Sequence, residues 1–333
     1  MLGRSMIMES PLRVGLIGVG RHGSRYAKHI HEDLPEIDLI GLWRRNADEG
    51  KRQARQYGCR YFQTYSDLLS DKSVDAVVVA LPPALNVRVC EEAAYHGKHI
   101  LLEKPMAINI RDSTRIRQAV SRSGVRIMVS QTLRFNAAVT AVKRFVPALG
   151  ALHSVVLSQR FEPSPHGWLD QRDLSGGGVV LHTGVHSFDL LRFLTQEEVD
   201  KVSCRIDRVV TRNTEDNFSA IMTFEKSHII ASVTGSRGTK GRNGLIEVAG
   251  ENGQLIADHV HNCLYEIRGM ERRPIELGDP VPTVYEALKA FHHSLCQEVP
   301  FPVTIDDGLN AVAIAEACYR AAETGKWEKV YYP

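Results

Sequence analysis

Near its start, the apolar run Leu12-Arg-Val-Gly-Leu-Ile17 leads directly into Gly18-Val-Gly20-Arg-His-Gly23 and then into a segment of helical character. A short apolar run closed by glycines reads as a strand, and a glycine-rich turn that opens a helix commits the chain to a strand-turn-helix unit. Further strand-like runs follow at 37–43, 74–81, 99–102 and 125–130, and helical stretches at 48–57, 84–96 and 111–123. The runs are continuously apolar rather than alternating, which is what a parallel sheet covered by helices on both faces demands. The front half therefore reads as a doubly wound α/β domain.

Gly18, Gly20 and Gly23 form a GxGxxG pattern in the context where it has a mechanism. Gly18 permits the tight turn, Gly20 lets a pyrophosphate approach the backbone, and Gly23 allows close helix-strand packing, with Arg21 and His22 in the same loop. The helix N-terminus offers free N–H groups to the anion. A dinucleotide site ordinarily carries a carboxylate for the ribose hydroxyls at the end of the second strand. Here Trp43, Arg44 and Arg45 stand at that place. Two guanidinium groups suit a ribose 2′-phosphate, so NADP(H) is favoured and NAD(H) is the alternative. The competing reading is a solvated basic turn, since Asp48 and Glu49 are close in sequence.

The chain has 333 residues, enough for two domains with large cores. Its formal net charge of +2, with no basic block, excludes nucleic acid as an expected partner. No apolar run reaches the roughly 20 residues of a membrane span, and the N-terminus lacks the apolar centre of a signal peptide, so a cytoplasmic protein is expected. The six cysteines are scattered with no paired spacing, which predicts neither a zinc ribbon nor a disulfide framework. Residues 1–10 precede the first patterned strand and are left out of the fold reading.

The back half has a different texture. Residues 152–161 alternate, 218–224 and 229–234 flank the turn 225–228, and 246–249 meet 255–257 across Gly250-Glu-Asn-Gly253. Helical runs at 284–297 and 308–324 complete an α+β domain.

Several segments in order, ALPPALN at 80–86, GKHILLEKPMA at 97–107, GGGVVLHTGVH at 176–186 and AEACYRAAETGKW at 315–327, resemble the Gfo/Idh/MocA oxidoreductases. The resemblance implies an NAD(P)-binding Rossmann domain at 11–133. It implies an α+β domain at 134–333 with an open, mostly antiparallel sheet, whose outer face commonly makes a homo-oligomer, a dimer or tetramer. It places Lys104 beside nicotinamide and substrate, with Leu81, Pro82, Asn86, Glu103 and Gln131 along the cofactor. Asn86 stands where the family often has histidine. It also gives His186 a catalytic place, with an aspartate commonly four residues earlier; here His182 occupies that position.

His182, His186 and Asp189 share one face if the segment is a regular helix. A metal site is not expected, because Thr183 follows the first histidine where HExxH has glutamate and no ligand beyond Asp189 is evident. Proton transfer fits better: oxidising an alcohol needs a base for the hydroxyl proton, and the reverse needs an acid for the carbonyl oxygen. Lys104 and His186 suit that work, and a protonated Lys104 also stabilises an alkoxide. With His182 in place of a carboxylate, either a proton relay near neutral pH or an impaired alcohol oxidation follows.

Arg134, and His166 and Trp168 in the loop 161–173, are the candidate substrate contacts, against the plainer reading of an exposed proline-rich connection. The leading expectation is an NAD(P)-dependent oxidoreductase of a sugar, cyclitol or related polyol. Two alternatives stand: an enzyme with retained cofactor performing net epimerisation, elimination or glycoside cleavage, and a non-catalytic dinucleotide sensor.

Overall fold

The computed structural model describes residues 11–333. Residues 1–10, and the expectation about a leader sequence that rests on them, lie outside the described residues. The chain divides into two compact units.

The first unit runs to Ala107, resumes over Arg111–Thr132 and takes in Pro282–Gly308. Its strands are β1 (Leu12–Ile17), β2 (Ile37–Trp43), β3 (Arg60–Tyr61), β4 (Ala76–Val79), β5 (His99–Glu103) and β6 (Ile127–Ser130). All pair in parallel, in the order β3-β2-β1-β4-β5-β6. That order reverses direction between β1 and β4, which opens a crevice at their C-terminal ends. The connecting helices are α1 (Gly23–Glu32), α2 (Ala47–Gln56), α3 (Tyr65–Ser70), α4 (Asn86–Tyr95) and α5 (Ile110–Ser123). Every residue of β4 and β6 is buried, the two-sided burial expected of their unbroken apolar sequences. Beyond the sequence reading, the structure adds β3 and α3; Thr64 and Asp67 cap α3 reciprocally.

In the second unit, nine strands form one mixed, mostly antiparallel sheet. They are β7 (Leu152–Arg160), β8 (Val199–Asp207), β9 (Asn217–Phe224), β10 (Ile230–Ser236), β11 (Asn243–Gly250), β12 (Gly253–Asp258), β13 (Cys263–Arg268), β14 (Glu271–Pro274) and β15 (Glu328–Lys329). Their order is β14-β13-β12-β11-β7-β10-β9-β8-β15, with only β7 and β10 parallel. The predicted hairpin is β11-β12, closed by the pair Gly250 and Gly253, with Gly253 at φ +140°. One face of β9 and β10 buries Phe218, Ala220, Met222, Ala231 and Val233, while Ile221 and Ile230 of the other face are exposed.

Helices α6 (Ala137–Phe145), α7 (Arg172–Ser175), α8 (Val185–Thr195) and most of α10 (Ile305–Thr324) belong to this unit. The remaining helix, α9 (Thr283–Cys296), belongs to the first unit although its sequence follows the sheet. There His29 and Tyr285 meet edge to face, and Arg126 donates to the carbonyls of Ser294 and Val299. Among the described residues no helix is long and apolar enough to cross a membrane, and all six cysteines are free.

Two adjacent carboxylates shape the second unit. Glu215 Oε1 accepts from the amides of Gly178 (2.8 Å) and Val180 (3.1 Å) and from the Tyr319 hydroxyl (2.8 Å), so it caps the helical segment that starts there. Gly178 has to be glycine, because a Cβ there would overlap the Glu215 carbonyl. Asp216 accepts from the amides of Val209, Val210 and Thr211 at 2.9, 2.7 and 2.8 Å, which folds the loop between β8 and β9 around one buried group. Burial opposes the charge on Asp216, but the three amides outweigh it and hold the carboxyl below its ordinary range.

A carboxyl lowered in this way adds stability that is complete above its unfolded pKa, roughly 3.9, and is lost as the pH falls below it. Asp216→Asn should therefore lower the urea midpoint at pH 7 by the equivalent of about 1–3 kcal/mol. The gap between parent and variant should shrink at pH 3. Urea titrations at the two pH values, followed by circular dichroism, check both parts, and a gap independent of pH would remove the charge from the account.

Candidate active site

In the first unit, the turn after β1 is closed by backbone contacts that exclude side chains. Gly18 sits at φ +95°, and a Cβ there would strike the carbonyl of Ala80 and the side chain of Leu81. A Cβ on Gly23 would overlap the Gly18 carbonyl, so α1 starts closer to the strand than any other residue permits. Gly20 differs: it is exposed, and nothing lies within 4 Å of where its Cβ would be. The open side of the turn thus faces the N-terminus of α1, which has no acidic residue in its first turn and no side-chain cap. Free donors, a helix dipole and an unobstructed glycine fit the pyrophosphate of a dinucleotide.

Arg44 reaches back to this turn. Its Nη1 donates to the Val19 carbonyl (2.9 Å) and to Gln53 Oε1 (3.0 Å), and Gln53 donates to Ser24 Oγ (3.1 Å), which donates to the Gly20 carbonyl (2.8 Å). Glu49, the neighbour behind the solvated-turn reading, pairs with Arg52 at 2.8 Å and lies 3.6 Å from Arg44. Arg45 and Arg21 are exposed. Gln53 and Ser24 escaped the sequence reading, since neither lies in the motif or at the strand end.

At the end of β5, Glu103 is buried and gathers a network. His22 Nε2 lies 2.7 Å from Glu103 Oε1, the Tyr26 hydroxyl donates to the same oxygen and lies 2.7 Å from Ser130 Oγ, and the Lys104 amide donates to Oε2 at 3.1 Å. Burial pushes the Glu103 carboxyl up, but the charges and bonds of His22 and Lys104 outweigh it and keep its pKa below the ordinary value. The carboxylate therefore stays ionised and fixes the backbone from which Lys104 projects. Lys104-Pro105 is a cis peptide bond. Asn86 is buried, and its Nδ2 donates to the carbonyls of Pro105 (3.2 Å) and Met106 (3.1 Å). Its amide thus braces the Lys104 loop, a partner that sequence order does not show. Leu81 and Pro82 follow β4 beside Gly18, and Gln131 is buried just after β6.

In the second unit, the helix carrying both histidines is irregular. Val180–Gly184 form a π-helical turn before α8, which breaks the regular phase that would align His182 with Asp189. His182 is buried, and its Nε2 lies 2.9 Å from the Ser175 carbonyl; a carbonyl only accepts, so that nitrogen carries the proton. Trp168 meets the His182 ring edge-on at 5.5 Å. His182 and His166 line a cavity of about 290 Å³ together with Asp170, Glu215, Asp216 and Arg237. His186 lies one turn beyond His182, on α8.

Asp189 points elsewhere. It forms a buried bidentate pair with Arg134, Nε–Oδ2 2.8 Å and Nη2–Oδ1 2.6 Å, and the guanidinium also stacks over Phe193 at 4.9 Å. Arg134, a candidate substrate contact from the sequence, turns its planar fork to Asp189. Among the described residues no three histidine, cysteine or acidic side chains converge as a metal would need.

Comparison with known proteins agrees with these two units. Residues 12–131 match the Gfo/Idh/MocA model described as an oxidoreductase family with an NAD-binding Rossmann fold, and residues 147–256 match the Gfo/Idh/MocA C-terminal domain. The chain is 28% identical over 304 residues to 1,5-anhydro-D-fructose reductase of Ensifer adhaerens, covering 87% of this chain and 90% of that one. It is 24% identical over 326 residues to myo-inositol 2-dehydrogenase of Thermotoga maritima, covering 94% and 96%. The fold is that of the aldose-aldose oxidoreductase from Caulobacter crescentus, with a TM-score of 0.87 at 24% identity over 96% of this chain and 99% of that one. With both domain models matched in order along the chain, this protein belongs to the Gfo/Idh/MocA family of oxidoreductases.

Proposed function

We propose that this oxidoreductase transfers hydride between a nicotinamide dinucleotide and a hydroxyl or carbonyl carbon of a sugar, cyclitol or related polyol. The observation that carries the reading is Lys104, held at the end of β5 by an ionised Glu103, in the unit whose glycine turn is open at Gly20. The relatives named above, a reductase of an anhydro sugar and an inositol dehydrogenase, support the substrate class.

The turn Gly18 to Gly23 would hold the pyrophosphate through backbone donors, with Arg21 and His22 in the same loop. When bound, the nicotinamide supplies the hydride acceptor or donor. Lys104 handles the proton at the substrate oxygen and, when protonated, stabilises negative charge there. His186 is the second proton-handling group. We further infer a preference for NADP(H), with Arg45 the more exposed candidate for the 2′-phosphate and Arg44 already engaged with Val19 and Gln53. The exposed Ile221 and Ile230 suit a homo-oligomer contact on the open face of the sheet, and six free thiols suit a reducing cytoplasm.

Lys104→Ala should lower turnover by about 10²- to 10⁴-fold in a polyol screen run with both cofactors and in both directions. Dinucleotide affinity should stay within a few-fold of the parent, because the ε-ammonium is not part of the glycine turn. His186→Ala should behave similarly, and a variant that turns over like the parent would remove its residue from the mechanism.

The two arginines should separate. Arg45→Ala should weaken NADP(H) by about ten- to a hundredfold and leave NAD(H) nearly unchanged. Arg44→Ala should weaken both cofactors, because it also releases the Val19 carbonyl and Gln53. Dissociation constants from fluorescence titration decide this; a parent that binds NAD(H) as tightly as NADP(H) leaves the two arginines as a solvated turn.

A further inference from the structure

The cavity of about 290 Å³ in the second unit carries an imbalance of charge. Three carboxylates line it, and each is already satisfied from within the protein. Asp170 accepts from the amides of Arg212, Asn213 and Thr214, Asp216 from those of Val209, Val210 and Thr211, and Glu215 from Gly178, Val180 and the Tyr319 hydroxyl. Two guanidinium groups, of Arg212 and Arg237, also line it. Arg237 donates through Nε to Thr183 Oγ1 at 2.9 Å, and its two Nη groups make no hydrogen bond or ion pair with any described residue. Burial pulls its pKa down to about 10, the nearby Arg242 adding to the effect. It is still charged at neutral pH.

The Arg237 guanidinium is half-buried, its one side-chain acceptor is a neutral hydroxyl, and its Nη edge is left to whatever enters the cavity. The missing partner is an anion that presents two oxygens to the Nη edge. The three carboxylates of the same wall suit a ligand with a single negative charge and disfavour a dianion. Around it, Ser164 and His166 supply polar groups of the kind that meet hydroxyls. The volume lies just below the usual range of small-molecule sites, the size of one monosaccharide rather than a nucleotide sugar. The cavity also borders the proposed chemistry within its own unit: His182 lines it one turn before His186, and Thr183 anchors Arg237 to the same turn.

We propose that this cavity selects a carboxylated monosaccharide, an aldonate or uronate, whose carboxylate is gripped by the Nη groups of Arg237. The assignment rests on the polyol reading above and narrows it to an acidic sugar. Its test uses the full chain, with and without NADP⁺, and matched probes: D-glucuronate and D-galacturonate against D-glucose and D-galactose, D-gluconate against D-glucitol, and D-glucose 6-phosphate as the dianion. Binding is measured by calorimetry and turnover by nicotinamide absorbance.

At least one carboxylated probe should bind about tenfold or more tighter than its neutral partner, the worth of one charge-assisted contact. Arg237→Met should erase that difference, and Arg237→Lys should keep part of it. Melting curves and dinucleotide titration establish that each variant is folded. Equal binding of acid and neutral probes, no binding of the acids at millimolar concentration, an unchanged preference in Arg237→Met, or tighter Arg237-dependent binding of the phosphate would each overturn the proposal. Carboxylates that bind through Arg237 but are never oxidised or reduced would sustain the site and sink the hydride-transfer reading. Turnover of neutral sugars with no Arg237-dependent preference would do the reverse.

Discussion

Backbone approaches that admit no side chain organise each unit of this protein. In the first, α1 begins so close to β1 that a Cβ on Gly23 would overlap the Gly18 carbonyl. In the second, the helical segment carrying His182 starts so close to the β8-β9 connection that a Cβ on Gly178 would overlap the Glu215 carbonyl. Each contact sets the origin of a helix, and every side chain projecting from its first turns inherits that position. His22 and Tyr26 meet Glu103 for this reason, and His182 enters its cavity for the corresponding one.

Buried charge is then distributed with consistent logic. Glu103, Asp216 and Asp189 are each buried, and each is compensated by amides, hydroxyls, an imidazole or a bidentate arginine. Such groups hold loops in single conformations, because removing one acceptor strands several donors at once. Glu103 fixes the backbone before Lys104 in this way, and Asn86 fixes the carbonyls after it. Arg237 breaks the pattern, and the break faces a cavity. Its Nη edge makes Arg237 the natural contact for something from outside.

Much of the fold was legible in local spacing. The run 37–43 is β2 to the residue, and the turn Gly250-Glu-Asn-Gly253 closes β11 on β12. Unbroken apolar runs announced the parallel sheet, and alternation in 152–161 announced β7. Strands β13 and β14 were not visible because they form a largely solvated edge whose residues, such as Glu271-Arg-Arg-Pro274, carry no apolar alternation. Placing α9 with the first unit needed its contacts with α1 and with Arg126 just before β6, which chain order does not encode.

Within the site, the division is sharper. Sequence alone determined the glycine turn, Lys104 behind Glu103 and the histidine pair, because these depend on steric permission and on neighbours a few residues apart. Tertiary structure decided what each group touches: Arg134 went to Asp189 and not to the cavity, the π turn separated His182 from Asp189, and Arg237, 54 residues from its anchor Thr183, arrived in the wall beside His182. Hydrogen-bond partners and desolvation are properties of distance in space, and no periodicity along the chain reports them.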